Sequence, residues 1–185
     1  MQKALLATGI GAIVVGIGAF YAFRIAAPQT AMSLSLTSEF QNGASIPARF
    51  TCDADNVNPK ISIGGVPEGT ASLALIMDDP DVPKVLRPDG MFDHWVLFNI
   101  PPTTTEIVEG GSAGIAGHNG RGEPAYTGPC PPREYEPREH RYFFRLYALD
   151  IELELTEGAS KEDVLKAMEG HVLEEAELMG RYQRP

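Results

Sequence analysis

The chain has 185 residues, 43% of them apolar, two cysteines and a formal net charge of −10, enough to bury one sizeable core in one domain. All 25 acidic side chains lie beyond residue 31, whereas only Lys3 and Arg24 of the 15 basic ones precede it. Such an acidic domain has no electrostatic route to nucleic-acid phosphates or anionic lipid surfaces, so nucleic-acid binding is excluded and an anionic ligand must be caught by local donors.

Residues 4–23 form a run of 20 without a charge, with Lys3 before it and Arg24 after it. That length matches a bilayer's hydrocarbon core better than the apolar region of a cleaved signal, about 7–15 residues. No small-x-small cleavage pattern follows, because Pro28 and Gln29 interrupt Ala26-Ala27 and Ala31, and no cysteine lies near to accept a lipid. The sequence therefore predicts an uncleaved signal anchor through residues 4–23. The charge difference across it puts the domain outside the cytoplasm. The alternative is a secreted or periplasmic domain released by signal cleavage. The chain divides into residues 1–31, anchor or signal with a short linker, and a domain over 32–185.

The domain reads as mainly β. Residues 33–38 alternate apolar and polar at period two, as a half-buried strand does. Asn42-Gly43 signals a turn, and residues 46–51 follow as a second strand. Residues 53–59 read as a loop, and residues 61–63 as a short strand broken by Gly64-Gly65. Residues 71–77 and 94–100 are the most apolar runs, the core of a sheet buried on both faces. Residues 103–108 suit an edge strand, and residues 110–128, with seven glycines in 19 positions, a loop. Residues 141–149 make another central strand. Ser160 and Asp163 have capping-box spacing, with Leu165, Met168, Val172 and Leu173 at helical spacing behind them. Ala176, Leu178, Gly180 and Tyr182 then alternate, so a helix followed by a strand is expected.

Chemistry concentrates in three stretches. Asp78-Asp79-Pro80-Asp81-Val82-Pro83 closes the 71–77 strand, and its two prolines stiffen the backbone where the carboxylates crowd together. The run 92–100 carries His94 beside the only tryptophan, and Gly128-Pro129-Cys130-Pro131-Pro132 precedes His140 and Tyr142. In this order the three stretches resemble the phosphatidylethanolamine-binding protein family, in its bacterial Raf-kinase-inhibitor-like branch, from about residue 33 to 184. The resemblance implies an antiparallel β-sandwich of that type, with one or two short helices near the C-terminus. It also implies a pocket for phosphate-like head groups at Asp79, His94, Pro132, His140 and Tyr142, with Asp81 beside them and Pro131 lining it.

The residues support that pocket independently. An imidazole can donate to an anion and charges in the physiological range, and neighbouring carboxylates orient it and favour its charged form. A carboxylate wall would also favour a head group carrying an amine. The loop 133–139 is longer and more charged than the family's link at that place. Its two arginines stand where they can reach a bound anion, and the loop is a natural site for a protein partner. Cys52 and Cys130 can pair as a disulfide or stay as two buried thiols, and the sequence leaves both open.

Gly110-Gly111-Ser112-Ala113-Gly114 matches the string of a nucleophile elbow, but no helix can follow it through so many glycines. The four histidines and two cysteines have no zinc-ligand spacing, so neither metal nor other cofactor is expected. The expected function is a non-enzymatic binding or inhibitor-type domain whose ligand is an anion on a lipid, nucleotide or phosphorylated partner. The alternatives are a small-ester hydrolase using an Asp–His pair and a protease-inhibitor-like interaction module.

Overall fold

A computed structural model describes residues 33–185. In chain order these form β1 (Ser35–Thr37), a 3-10 turn (Ala48–Phe50), β2 (Ile61–Gly64), β3 (Ser72–Asp79) and β4 (Phe92–Ile100). Then come β5 (Glu106–Ile107), β6 (Ile115–Ala116), β7 (Glu139–Leu149), α1 (Lys161–Ala167) and β8 (Val172–Gln183). The strands make a three-stranded sheet, β1-β2-β5, and a five-stranded sheet, β6-β4-β3-β7-β8, antiparallel throughout. The mainly β, sandwich-like architecture is the one expected.

β3 is the axis, buried along its whole length because both faces are covered. Leu73, Leu75 and Met77 face a cluster shared with Trp95, Tyr142 and Phe144 and with Leu36, Ile61 and Ile107 of the small sheet. Ala74 and Ile76 face the opposite cluster, where Val96 and Phe98 meet Val164 and Met168 from the α1 region. Each branched or aromatic side chain buried this way contributes about 1.5–3 kcal/mol relative to exposure. Because the apolar set alternates at period two, the register of the central strands is strongly specified.

α1 begins at the predicted capping box. The Asp163 amide donates to Ser160 Oγ at 3.1 Å and the Ser160 amide returns to Asp163 Oδ2 at 3.2 Å, so the shorter acid suffices. The helix stops after Ala167, and Val172 and Leu173 belong to β8, where they are exposed; their helical spacing is coincidental. A second correction concerns residues 46–51. They form the Ala48–Phe50 turn instead of a strand, because Pro47 caps it and Thr51 turns back to bond Ala48 O through both its amide and its hydroxyl. β5 is the expected edge strand, shortened to two residues, and the glycine-rich loop carries the two-residue β6.

The expectation of a membrane-anchored, extracytoplasmic protein is corrected. Among the described residues no helix is long and apolar enough to cross a membrane. α1 has only seven residues, about 10 Å of rise against a hydrocarbon core of about 30 Å. Residues 4–23, on which the anchor and its sidedness rested, and the boundary at residues 31–32 lie outside the described residues.

Candidate functional site

β3 does not end before its acidic residues, as the sequence suggested, but runs through Asp78 and Asp79. Alternation therefore sends the two carboxylates to opposite faces. Asp79 continues the face of Leu73, Leu75 and Met77; Asp78 turns to the other, where Arg145 Nη1 donates to it at 2.8 Å. On β4 the pairing shifts by one, Met77 opposite Trp95 and then Asp78 opposite Asp93, leaving His94 as an extra, bulged residue. Bulges re-aim side chains. This one turns His94 toward Asp79's side and Asp93 toward Asp78's. His140 reaches the same place from β7, on the face of Tyr142 and Phe144.

The result is a cavity of about 380 Å³ whose floor is Asp79, His94 and His140. Thr127, Gly128, Cys130, Pro131 and Pro132 make one wall, and Phe92, Val82, Leu86, Arg87 and Arg121 the rest. His140 Nδ1 donates to Asp79 Oδ2 at 2.7 Å, since a carboxylate can only accept. His140 Nε2 is buried with no hydrogen-bond partner among the described residues. His94 Nδ1 donates to the Thr127 carbonyl at 2.6 Å, leaving Nε2 4.0 Å from Asp79 Oδ2. Both rings thus spend Nδ1 on the protein and keep Nε2 for whatever enters.

Burial holds the His94 pKa down at about 4, against the raising effect of the Thr127 carbonyl and of Asp79 and Asp93; Arg121 lowers it further. The expectation that both imidazoles charge in the physiological range is corrected for His94, which is neutral at pH 7. Its Nε2 is then an acceptor. Asp79 Oδ1 takes the Asp81 amide at 2.8 Å. Both of its oxygens are therefore engaged.

The other expected residues fall in different places. Pro131 and Pro132 line the cavity as anticipated. Asp81 does not: it takes the amide, Nε and Nη2 of Arg141 at 2.9, 2.8 and 2.6 Å. That guanidinium holds its carboxyl below the usual range, first through the hydrogen bonds. Tyr142 stands behind the floor, its ring edge-on to His94 at 5.2 Å, and burial followed by Asp79's charge pushes its phenol pKa up. It positions the imidazole without lining the cavity. Cys52 and Cys130 form a disulfide that ties the cavity wall to the Thr51 turn. The same wall is held by Cys52 N–H to Pro129 O at 3.1 Å and Gly128 N–H to Asn56 Oδ1 at 2.8 Å. A Cβ on Gly128 would sit 2.3 Å from the Phe50 carbonyl oxygen, so only glycine permits this approach. Ser112 is exposed in the loop before β6 and is not part of the lining.

Sequence reasoning looked to the 133–139 loop for cations and missed the ones that are present. Arg133 lies 3.8 Å from Asp53, and Arg138 pairs with Glu136 at 3.2 Å. The cavity's guanidiniums are Arg87, from the loop between β3 and β4, and Arg121, from the loop between β6 and β7. Their only local signal was position, beside the prolines after β3 and within the glycine-rich loop.

A family model described as phosphatidylethanolamine-binding protein matches residues 36–183. The chain belongs to the phosphatidylethanolamine-binding protein family. A UPF0098 protein of Methanothermobacter thermautotrophicus is 50% identical over 80% of this chain and 97% of its own length. A Chlamydia pneumoniae relative of the same designation is 43% identical, covering 80% and 97%. Among solved structures, a phosphatidylethanolamine-binding protein homolog from Chlamydia trachomatis superposes with a TM-score of 0.79 at 40% identity, covering 83% of this chain and 99% of its own. E. coli YbcL gives 0.73 at 25% identity over the same shares. As a phosphatidylethanolamine-binding protein family member, the chain is a binding-type domain, with the expected fold and the cavity at the end of β3.

Proposed function

We propose that the cavity binds a phosphate-like anionic group of a small ligand or of a modified partner, without chemical turnover. The observation that carries this reading is His140 Nε2: buried, unpartnered among the described residues, facing the cavity, with Nδ1 anchored 2.7 Å from Asp79. A buried polar atom without a partner costs about 1–3 kcal/mol, which a ligand atom there would recover. In its imidazolium form His140 would donate Nε2–H to the anion while its Nδ1–H stays donated to Asp79. The 133–139 loop, with Tyr135 exposed, is where a protein bearing such a group would dock.

The test is calorimetric titration of inorganic phosphate into wild type and His140→Ala. Loss of one charge-assisted hydrogen bond, about 1.5–3 kcal/mol, predicts binding weakened by about tenfold to a hundredfold, compared at a temperature where both proteins are fully folded. Equal affinity would remove the site assignment. The Asp79–His140 pair also has the geometry of an oriented general base, which favours a hydrolase as second reading. Thr127 is the only hydroxyl-bearing residue in the lining and Cys130 is oxidised, so the reading requires an activated water. Ester hydrolysis present in wild type and absent in His140→Ala would replace binding by catalysis.

A further inference from the structure

Nine arginines lie among the described residues, and seven of them have a carboxylate within 4.0 Å: Arg49, Arg133, Arg138, Arg141, Arg145, Arg181 and Arg184. The other two, Arg87 and Arg121, have none among the described residues, and both line the cavity at the end of β3. In a chain of net charge −10, carboxylates are abundant enough to pair nearly every guanidinium. Two left without partners at the same opening mark a place where the counter-charge comes from outside.

Arg87 is held through its guanidinium, Arg121 through its backbone. The Arg87 guanidinium lies over the Phe92 ring at 5.1 Å and donates from Nη1 to the Gly120 carbonyl at 3.2 Å. Phe92 in turn packs on His94 with ring centroids 4.7 Å apart, so the stack runs from rim to floor. Gly120 makes room for it: a Cβ there would meet Phe92 at 2.8 Å and Arg87 Nη1 at 3.0 Å. Arg121 sits on a turn built by the buried Asn119, whose Oδ1 accepts the Arg121 and Glu123 amides at 2.8 and 3.2 Å and whose Nδ2 donates to Ala125 O at 2.9 Å.

The carboxylates of the site, by contrast, are spoken for. Asp79 is engaged by His140 and the Asp81 amide, and Asp81 by Arg141. Both already accept hydrogen bonds from the protein, which weakens their pull on a ligand ammonium. A cavity of about 380 Å³ also exceeds what one phosphate fills.

We propose that Arg87 and Arg121 form a second anion subsite at the mouth of the cavity, so that the ligand carries two linked anionic groups, as a diphosphate does. This rests on the anion-binding reading of the floor. One group sits against His140, and the second is shared by the two guanidiniums, whose planar donor sets suit phosphate oxygens.

The experiment titrates orthophosphate, phosphoethanolamine and pyrophosphate into wild type, Arg121→Gln, the Arg87→Gln/Arg121→Gln double variant and, as a charge control outside the cavity, Arg49→Gln. All titrations run near physiological salt to screen remote charges. Wild type and Arg49→Gln should bind pyrophosphate about tenfold or more tightly than the other two probes. The preference should shrink in Arg121→Gln and disappear in the double variant, with orthophosphate affinity nearly unchanged. Adenosine diphosphate and a short alkyl diphosphate then tell whether a nucleoside or an apolar tail follows the two phosphates; tighter binding of either supports the subsite. Wild type that binds orthophosphate but does not prefer pyrophosphate overturns the inference alone, as does equal loss of both probes in the double variant. Wild type that binds none of the probes overturns both readings.

Discussion

At the scale of single residues, His94 carries a sharp pH signature. Its ring is buried and its pKa is depressed to about 4 by loss of solvent, whereas an unfolded chain titrates its histidines near 6.5. The unfolded state therefore binds a proton that the folded state refuses. His94's contribution is complete above about pH 6.5 and is lost progressively as pH falls through the folded value near 4, by about 3 kcal/mol in all. Urea titrations between pH 8 and pH 4 should show that loss, and His94→Gln should remove most of it. An identical pH profile in the variant would mean that His94 titrates in the folded state near its ordinary value.

At the scale of elements, the β3–β4 pairing places Asp78 directly opposite Asp93, and like charges so placed are destabilising. α1 supplies the remedy. Its first residue, Lys161, pairs with Asp93 and brings Nζ within 3.6 Å of Asp78 Oδ2, while Arg145 holds Asp78 from β7. The capping box thus does more than start a short helix: it aims an ammonium at two facing carboxylates. Lys161→Met should cost about 3 kcal/mol, the lower end for removing one partner of a buried ion group, read as a lowered urea midpoint with unchanged slope. A loss under about 0.5 kcal/mol, the range of ordinary surface substitutions, would show that Arg145 alone neutralises the pair.

At the scale of the whole molecule, the Cys52–Cys130 disulfide joins positions 78 residues apart, closing a loop that contains β2 to β6 and holding the cavity wall to the Thr51 turn. A cross-link over so long a loop removes unfolded-chain entropy worth about 2–4 kcal/mol. Denaturant titration of the oxidised protein and of the Cys52→Ser/Cys130→Ser variant should differ by about that amount. Phosphate affinity should fall as well, because Cys130 lines the cavity. Unchanged stability would mean that the hydrogen bonds of Cys52 and Gly128 hold the wall alone.

The sequence by itself determined the features that depend on neighbours along the chain. The apolar run before Asp78, the strand over residues 141–149, the Ser160–Asp163 cap and the glycine-rich loop follow from backbone preference and hydrophobic pattern, which act locally. The grouping of Asp79, His94 and His140 was legible through the order of three motifs. Residues 46–51 were not, because Pro47 and the Thr51 back-bond made a turn where the apolar pattern suggested a strand. Only the tertiary structure decided what each site residue does. The bulge that aims His94 inward is a mismatch between two strands and exists in neither alone. The neutrality of His94 comes from burial by distant segments, and Asp81 was taken out of the cavity by Arg141, 60 residues away. The Cys52–Cys130 bond and the meeting of Arg87 with Arg121 are likewise long-range. Charge state, pairing and access are set by whichever groups folding brings within a few ångströms, and that distance is not written in sequence separation.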